Sequence, residues 1–368
     1  MAQHTQTQAG IGRSLILDYL RVLAMVGVLV VHCSQQFSVP PQIYNILRSG
    51  AFCVQIFFVI SGYLACFYFA RPEASIANYY KKRALRILPT YYAAIIAAMI
   101  YVEFATTGYD EDTLHLGWLR YFLGLNTILP SSNFSQWNNA FGFWTMSEFI
   151  LFYSIIPILI KYFNSYNKSL LLFLIFLAVA IITNFTIPFI PTTIFASVER
   201  FLLWSPLMQM QHFALGIVIY FAIKENRKKE AAIGLAILAV MMSALSLLIL
   251  STPALNIAAA ELLAAALAFS SYTGLAILIA SKKASAPGAS NHHMLRFFSK
   301  YSFHIYLTHI LALNIASQLA SEWCQPASLS FYIVQALATL LAIFLLCTFL
   351  EISQRAADNI FSTRKPSR

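Results

Sequence analysis

Between Leu17 and Ser34 the chain reads LDYLRVLAMVGVLVVHCS, an apolar run with an aspartate and an arginine near one end and a histidine near the other. A run of this length and composition crosses a bilayer as a helix, because in lipid the backbone must satisfy its own hydrogen bonds. The eleven helical steps from Arg21 to His32 turn through about 1100°, which is about 20° past three full turns. The two side chains therefore share a face and stand about 16 Å apart along the axis, half the thickness of a hydrocarbon core. Ionisable groups are costly in lipid, so this face is expected to turn into a bundle interior and to mark a functional site. Asp18, one turn before Arg21, is placed to orient its guanidinium.

Apolar runs recur along the rest of the chain. The sequence is 59% hydrophobic and only 10% charged, with a mean hydropathy of +0.69, where a soluble domain carries about 25% charged residues. The expected fold is an all-α integral membrane protein, a bundle of about ten transmembrane helices near 15–34, 47–70, 87–105, 143–162, 169–188, 202–223, 231–251, 256–281, 301–319 and 328–350. With the N-terminus cytoplasmic, 21 of the 24 Lys and Arg residues fall on the cytoplasmic side, leaving Arg48, Arg120 and Arg200 outside. That distribution obeys the positive-inside rule and puts both termini in the cytoplasm. The net charge of +10 is thus topology and not a nucleic-acid footprint. Residues 1–14 read as a polar tail, 15–351 as one membrane domain and 352–368 as a basic cytoplasmic tail. The first apolar run is too long for a cleaved signal and is expected to stay as an anchor. Five cysteines without a CxxC pair argue against a metal site or a disulfide framework.

Several polar residues stand out. Ser61 and Gly62 interrupt the second span, where such a pair permits close helix approach or a functional opening. Arg83 and Arg86 lie i, i+3 in KKRALRILPTYY, and Pro89 fits the first turn of the third span. Two guanidinium forks at a helix start suit a phosphate clamp, while an ordinary positive-inside anchor explains the charge alone. The outer connection at 106–142 carries Asp110, Glu111, Asp112, His115, Trp118 and Trp137, suited to a sugar, a headgroup or an aromatic belt. Its segment Leu114 to Leu129 reads as a short interfacial or re-entrant helix. In the fourth span Glu148 reaches about the depth of His32, where a carboxylate and an imidazole can form an acid/base or orienting pair. Mid-span His212 reads as a buried, satisfied histidine. Glu199 and Arg200 lie at the outer mouth, and Glu261 near the outer end of the eighth span. His304 and His309, five residues apart in KYSFHIYLTHI, face different ways and are unsuited to joint metal ligation. Tyr301, Tyr306 and His309 are placed to line an internal polar cavity.

These landmarks resemble the acyltransferase-3 membrane family. They are LDYLRVLAMVGVLVVH with Arg21 and His32, FFVISGYL with Ser61 and Gly62, KKRALRILPTYY with Arg83 and Arg86, WTMSEFILFYSIIP, and KYSFHIYLTHI, in order over nearly the whole chain. The resemblance implies a bacterial inner-membrane enzyme that moves an acyl group, often acetyl, from cytoplasmic acyl-CoA to a hydroxyl of a cell-surface or exported carbohydrate or lipid-linked glycan. It implies a catalytic intramembrane histidine, His32, and CoA-binding arginines, Arg83 and Arg86. Acyl-CoA is then a co-substrate, and no resident cofactor or metal is implied. Many members carry an acidic residue five positions after the Trp of the fourth span; aligning Trp144, Phe152, Tyr153 and Pro157 leaves Phe149 there and Glu148 one earlier, about 100° away.

The residues themselves support such a division of labour. CoA holds phosphates at one end and a thioester on a long arm, and the spacing of Arg21 from His32 separates two such ends in depth. A neutral imidazole can deprotonate a hydroxyl acceptor, or take the acyl group itself as an acyl-histidine. Expected roles are His32 and Glu148 in catalysis, Arg21, Arg83 and Arg86 toward the donor, and Asp18, Ser61, Gly62, Trp144, Tyr153, Tyr306 and His309 in support. A transporter or flippase, or a membrane sensor without catalysis, is the competing class. The charge distribution makes one direct prediction: reporters fused ahead of Met1 and after Arg368 are active on the cytoplasmic side only, and periplasmic activity at either end contradicts the topology.

Overall fold

The computed structural model describes residues 15–36, 40–105, 114–129, 140–186, 189, 202–251, 258–281, 292–326 and 328–362. Among these there is no strand, and twelve α-helices follow one another: α1 (Leu15–Ser34), α2 (Pro41–Arg48), α3 (Val54–Phe69), α4 (Ile76–Ala105), α5 (Leu114–Phe122), α6 (Trp144–Tyr162), α7 (Tyr166–Thr186), α8 (Met210–Lys224), α9 (Lys228–Ser251), α10 (Ala258–Ala280), α11 (His293–Trp323) and α12 (Leu329–Ser362). A single-turn 3-10 segment, Ser49–Cys53, joins α2 to α3. Eight segments are long and apolar enough to cross a membrane, as an all-α membrane bundle requires. The other two expected spans are also helical. Residues 202–223 contain α8, only 15 residues long, and 301–319 form the middle of the 31-residue α11.

The core is built on α8, which is buried on every face from Met210 to Ala222. A helix that is apolar all round belongs at the centre of a bundle. α3 packs directly on it through glycines. A Cβ at Gly62 would lie 2.0 Å from the carbonyl oxygen of Phe213, and one at Gly216 would lie 2.1 Å from that of Val59. Next to this crossing, Phe213 stacks between Phe58 and Phe152 at centroid distances of 4.6 and 4.1 Å. The Ser61–Gly62 pair therefore does not interrupt α3, which is continuous. Gly62 serves the close helix approach, one of the two expected readings of the pair, and Ser61 lines a cavity.

A second correction concerns the basic segment. α4 begins at Ile76, and Pro89 lies in its interior. Proline leaves the carbonyl four residues earlier without its helical donor. Here that carbonyl, on Leu85, receives a hydrogen bond from Gln354 Nε2 of α12 at 2.7 Å, while Thr90 Oγ1 donates to Gln354 Oε1 at 3.0 Å. The glutamine repairs the gap, and the helix continues. Arg83 and Arg86 consequently sit a turn or more inside α4, so the partial charge of a helix start does not act on them. α12 likewise runs unbroken to Ser362, through most of the segment expected to be a tail.

α5 is held to α4 by the hydroxyls of Tyr91 and Tyr92, which donate to the carbonyls of Tyr121 and Phe122 at 2.8 and 3.1 Å. It is a nine-residue helix followed by turns, shorter than the expected 114–129. Asp110, Glu111, Asp112, Trp137, Glu199, Arg200, the terminal tails 1–14 and 363–368 and the 282–291 connection lie outside the described residues, as does the side chain of His115.

The glycine crossing is testable against a glycine with free space. Gly234 in α9 has nothing within 4 Å of a built Cβ. Gly62→Ala is expected to cost about 1–3 kcal/mol by overpacking, read as a lower thermal midpoint in detergent. Gly234→Ala should be neutral or stabilising by about 0.5–1 kcal/mol. Equal midpoints for the two variants would contradict the crossing.

Candidate functional site

Two cavities lie along the polar face of α1, one at each end. The larger, about 430 Å³, is lined by His32, Gln35, Trp144, Trp204, Tyr306 and His309 among others. The smaller, about 120 Å³, is lined by Arg21, Ser61, Arg83, Arg86, Tyr153 and Lys300, with apolar residues filling in between. We refer to them as the histidine and arginine chambers. Among the described residues, Val54 and Tyr306 alone line both.

In the histidine chamber the ring of His32 lies against that of His309, with centroids 5.0 Å apart. Gln35 Oε1 is 3.1 Å from His32 Nδ1. As assigned, the amide oxygen only accepts, so Nδ1 carries the proton and Nε2 keeps its lone pair. His309 is fixed in the same way: its Nδ1 donates to the Tyr306 carbonyl at 2.6 Å, and its buried Nε2 has no partner among the described residues. Trp144 packs against Trp204, centroids 4.3 Å apart, giving one wall a broad aromatic surface. Gln55 donates to Gln209 at 3.2 Å across another part of the lining. The chamber's volume falls in the range of small-molecule sites, about 300–1,000 Å³.

The arginine chamber is cationic. Arg21 pairs with Asp18 at 3.2 Å, and Asp18 also accepts a hydrogen bond from Ser299 of α11 at 2.6 Å. An i, i+3 pair contributes only about 0.2–0.5 kcal/mol to a helix. Its effect is to orient the guanidinium and tie α1 to α11. Lys300 is held by Glu351 at 3.1 Å. Arg83 lies over the rings of Tyr153 and Tyr79, 4.9 and 5.5 Å from their centroids. Neither Arg83 nor Arg86 forms an ion pair with a carboxylate among the described residues. Two guanidinium groups without a carboxylate partner among the described residues have the geometry to bind an anion with several oxygens.

Tyr306 stands between the chambers. Thr145 Oγ1 donates to its phenol oxygen at 3.0 Å, and the phenol donates to the Gly142 carbonyl at 3.3 Å. Gly142 has φ of +74°, a conformation that only glycine adopts without strain.

Glu148 is not brought to His32. It is fully buried, accepts a hydrogen bond from Thr127 Oγ1 at 2.8 Å and lines neither chamber. Phe149, one residue further on, does line the arginine chamber. The 100° step between neighbours on α6 thus decides which residue reaches the cavity. His304 faces Glu351 at 3.7 Å, away from His309. His212 is the satisfied core histidine: its Nδ1 lies 2.7 Å from Ser270 Oγ, and Gln211 Nε2 donates to its Nε2 at 3.2 Å.

Sequence reasoning missed Gln35, Arg48, Trp204 and Lys300. Gln35 was legible as the i+3 neighbour of His32. Arg48, one of three basic residues on the expected outer side, lines the histidine chamber and pairs with Glu261 at 3.7 Å. Trp204 and Lys300 reach their chambers only through long-range packing, which no local spacing announces.

A family model described as an acyltransferase domain, Acyl_transf_3, matches residues 15–351. No curated protein and no solved structure matches the chain.

Proposed function

We propose that this chain, which belongs to the acyltransferase-3 family, carries an acyl group, in the simplest case acetyl, from a cytoplasmic acyl-CoA to a hydroxyl of an exported carbohydrate or lipid-linked glycan. The family makes it a membrane acyltransferase, which sets aside the carrier and the sensor; the donor and the acceptor are our reading. The observation that carries it is the pairing of an arginine chamber and a histidine chamber at opposite ends of one helix, joined at a single partition.

The phosphates of the donor bind Arg83 and Arg86, which form no ion pair with a carboxylate among the described residues. A chamber of about 120 Å³ is too narrow for a nucleotide, so the nucleotide stays at the mouth and only the flexible arm enters. Ser61, Tyr153 and Lys300 line its way. The acceptor occupies the histidine chamber, with a sugar ring against the Trp144–Trp204 surface. His32 Nε2 takes the proton of the acceptor hydroxyl. The oxygen then attacks the thioester carbonyl, the carbon–sulfur bond breaks, and the thiolate leaves with the proton returned by His32. Gln35 holds the tautomer that makes Nε2 the base. His309, whose ring borders that of His32, braces it in this position. Glu148 acts at a distance, by anchoring the turn that carries Thr127.

His32→Ala is expected to lower kcat by about 10²–10⁴-fold, measured as label transfer from radiolabelled acetyl-CoA in membranes at equal protein level. Undiminished transfer would sink the assignment. The double change Arg83→Gln with Arg86→Gln should instead raise KM for acyl-CoA, by about tenfold for each 1.4 kcal/mol of lost phosphate contact, with the smaller effect on kcat. A fall in kcat with KM unchanged would place the donor elsewhere.

A further inference from the structure

Donor and acceptor must meet, yet the two chambers are separate spaces. Among the described residues their linings have only Val54 and Tyr306 in common. Val54 is buried in the first turn of α3. Tyr306 is the larger of the two, and its ring is held on several sides. Thr145 donates to its hydroxyl and the hydroxyl donates to the Gly142 carbonyl. Phe57 lies edge-on to its ring at 6.0 Å, and the ring of His309 lies 5.6 Å away. Its own carbonyl accepts the hydrogen bond that fixes His309. One residue therefore borders both chambers and orients the ring beside His32.

The geometry points to Tyr306 as the partition that keeps water off the thioester and limits the length of the acyl group. The inference rests on the acyl-CoA reading of the arginine chamber. The histidine chamber, with Gln35, Gln55, Gln209 and two histidines in its lining, is roomy enough to hold water and offers it polar partners. Water reaching an arm that waits in the arginine chamber would add to the thioester carbonyl. The carbon–sulfur bond would break, and a carboxylate and free CoA thiol would be released with nothing transferred. With Thr145 and Gly142 pinning the phenol, that route is shut. The acyl end reaches His32 only when the ring turns aside, breaking two hydrogen bonds made by a single hydroxyl. Because the passage lies between a tyrosine ring and the side chain of Val54, it admits a short acyl group and resists a long one.

Three changes test the pin and the ring separately. Tyr306→Phe keeps the ring and removes both hydroxyl bonds, Thr145→Val removes one of them, and Tyr306→Ala removes the wall. Expected is a graded rise in acceptor-independent CoA release relative to transfer, small for Thr145→Val, larger for Tyr306→Phe and about tenfold or more for Tyr306→Ala. Longer-chain acyl-CoA donors should gain on acetyl-CoA in the same order. A ratio of hydrolysis to transfer that stays constant while both rates fall together would show a merely structural residue and overturn the proposal.

A second readout does not depend on acyl chemistry. In a chain whose five cysteines are replaced, Ser61→Cys places a thiol in the arginine chamber. A hydrophilic thiol reagent added from the His32 side of sealed vesicles should leave it unlabelled, and should label it once Tyr306→Gly is added. The same reagent from the Arg83 side should label it in both. Labelling from the His32 side with Tyr306 intact, or none after its truncation, contradicts the partition. The predicted labelling without CoA release from any acyl-CoA would leave the partition standing and remove the donor reading instead.

Discussion

An arginine and a histidine on one face of a lipid-crossing helix have to be walled off from lipid, and most of the site follows from how α1 achieves this. Leu17, Leu20, Ala24, Val28 and Val31 of α1 are buried, and Arg21 and His32 each follow that stripe by one residue. The matching wall is α11. Ser299, Ser302, Tyr306 and His309, at steps of three, four and three, all line one or the other chamber, and Ser299 also holds Asp18. A polar stripe on one helix thus faces a polar stripe on another. Asp18 and Ser299, and the rings of His32 and His309, meet across the seam. Arg21 and His32 also find partners close by in sequence, in Asp18 and Gln35.

The same seam separates two kinds of electrostatics. At the Arg21 end, four cations line a narrow space, and two of them have no carboxylate partner among the described residues. At the His32 end the lining holds two imidazoles, Gln35, two indoles and a phenol, and its one cation among the described residues, Arg48, is paired with Glu261. Anion binding and proton transfer make opposite demands, since dense positive charge would hold an imidazole unprotonated while attracting any anionic product. On the proposed reading, distance along a helix, together with an aromatic wall, meets both demands in one chain.

Much of this was legible in the sequence. The 100° step per residue put Arg21 and His32 on one face and His304 and His309 on different ones, and the structure shows both. The i, i+3 spacing of Arg83 and Arg86 brought both to one chamber. The start of α4 was not legible, because proline is normally a helix-start signal and the residue that compensates for it, Gln354, lies in the last helix. Ser61 and Gly62 were read as a unit, whereas neighbours on a helix point to different partners, here a cavity and the backbone of α8. Glu148 failed as a partner for His32 for the same reason of angle, and depth alone could not reveal it. Trp204 and Lys300 depended on packing between distant segments.

The central claim is that one acyl-CoA lies along the path from Arg83 and Arg86 to Tyr306. It is tested most directly by cryo-electron microscopy of the protein with a non-hydrolysable acyl-CoA analogue. The account predicts phosphate density against Arg83 and Arg86 and the arm running past Ser61 and Tyr153, its acyl end at Tyr306. A nucleotide lodged in the histidine chamber against Trp144 and Trp204, with the arginines empty, would contradict it.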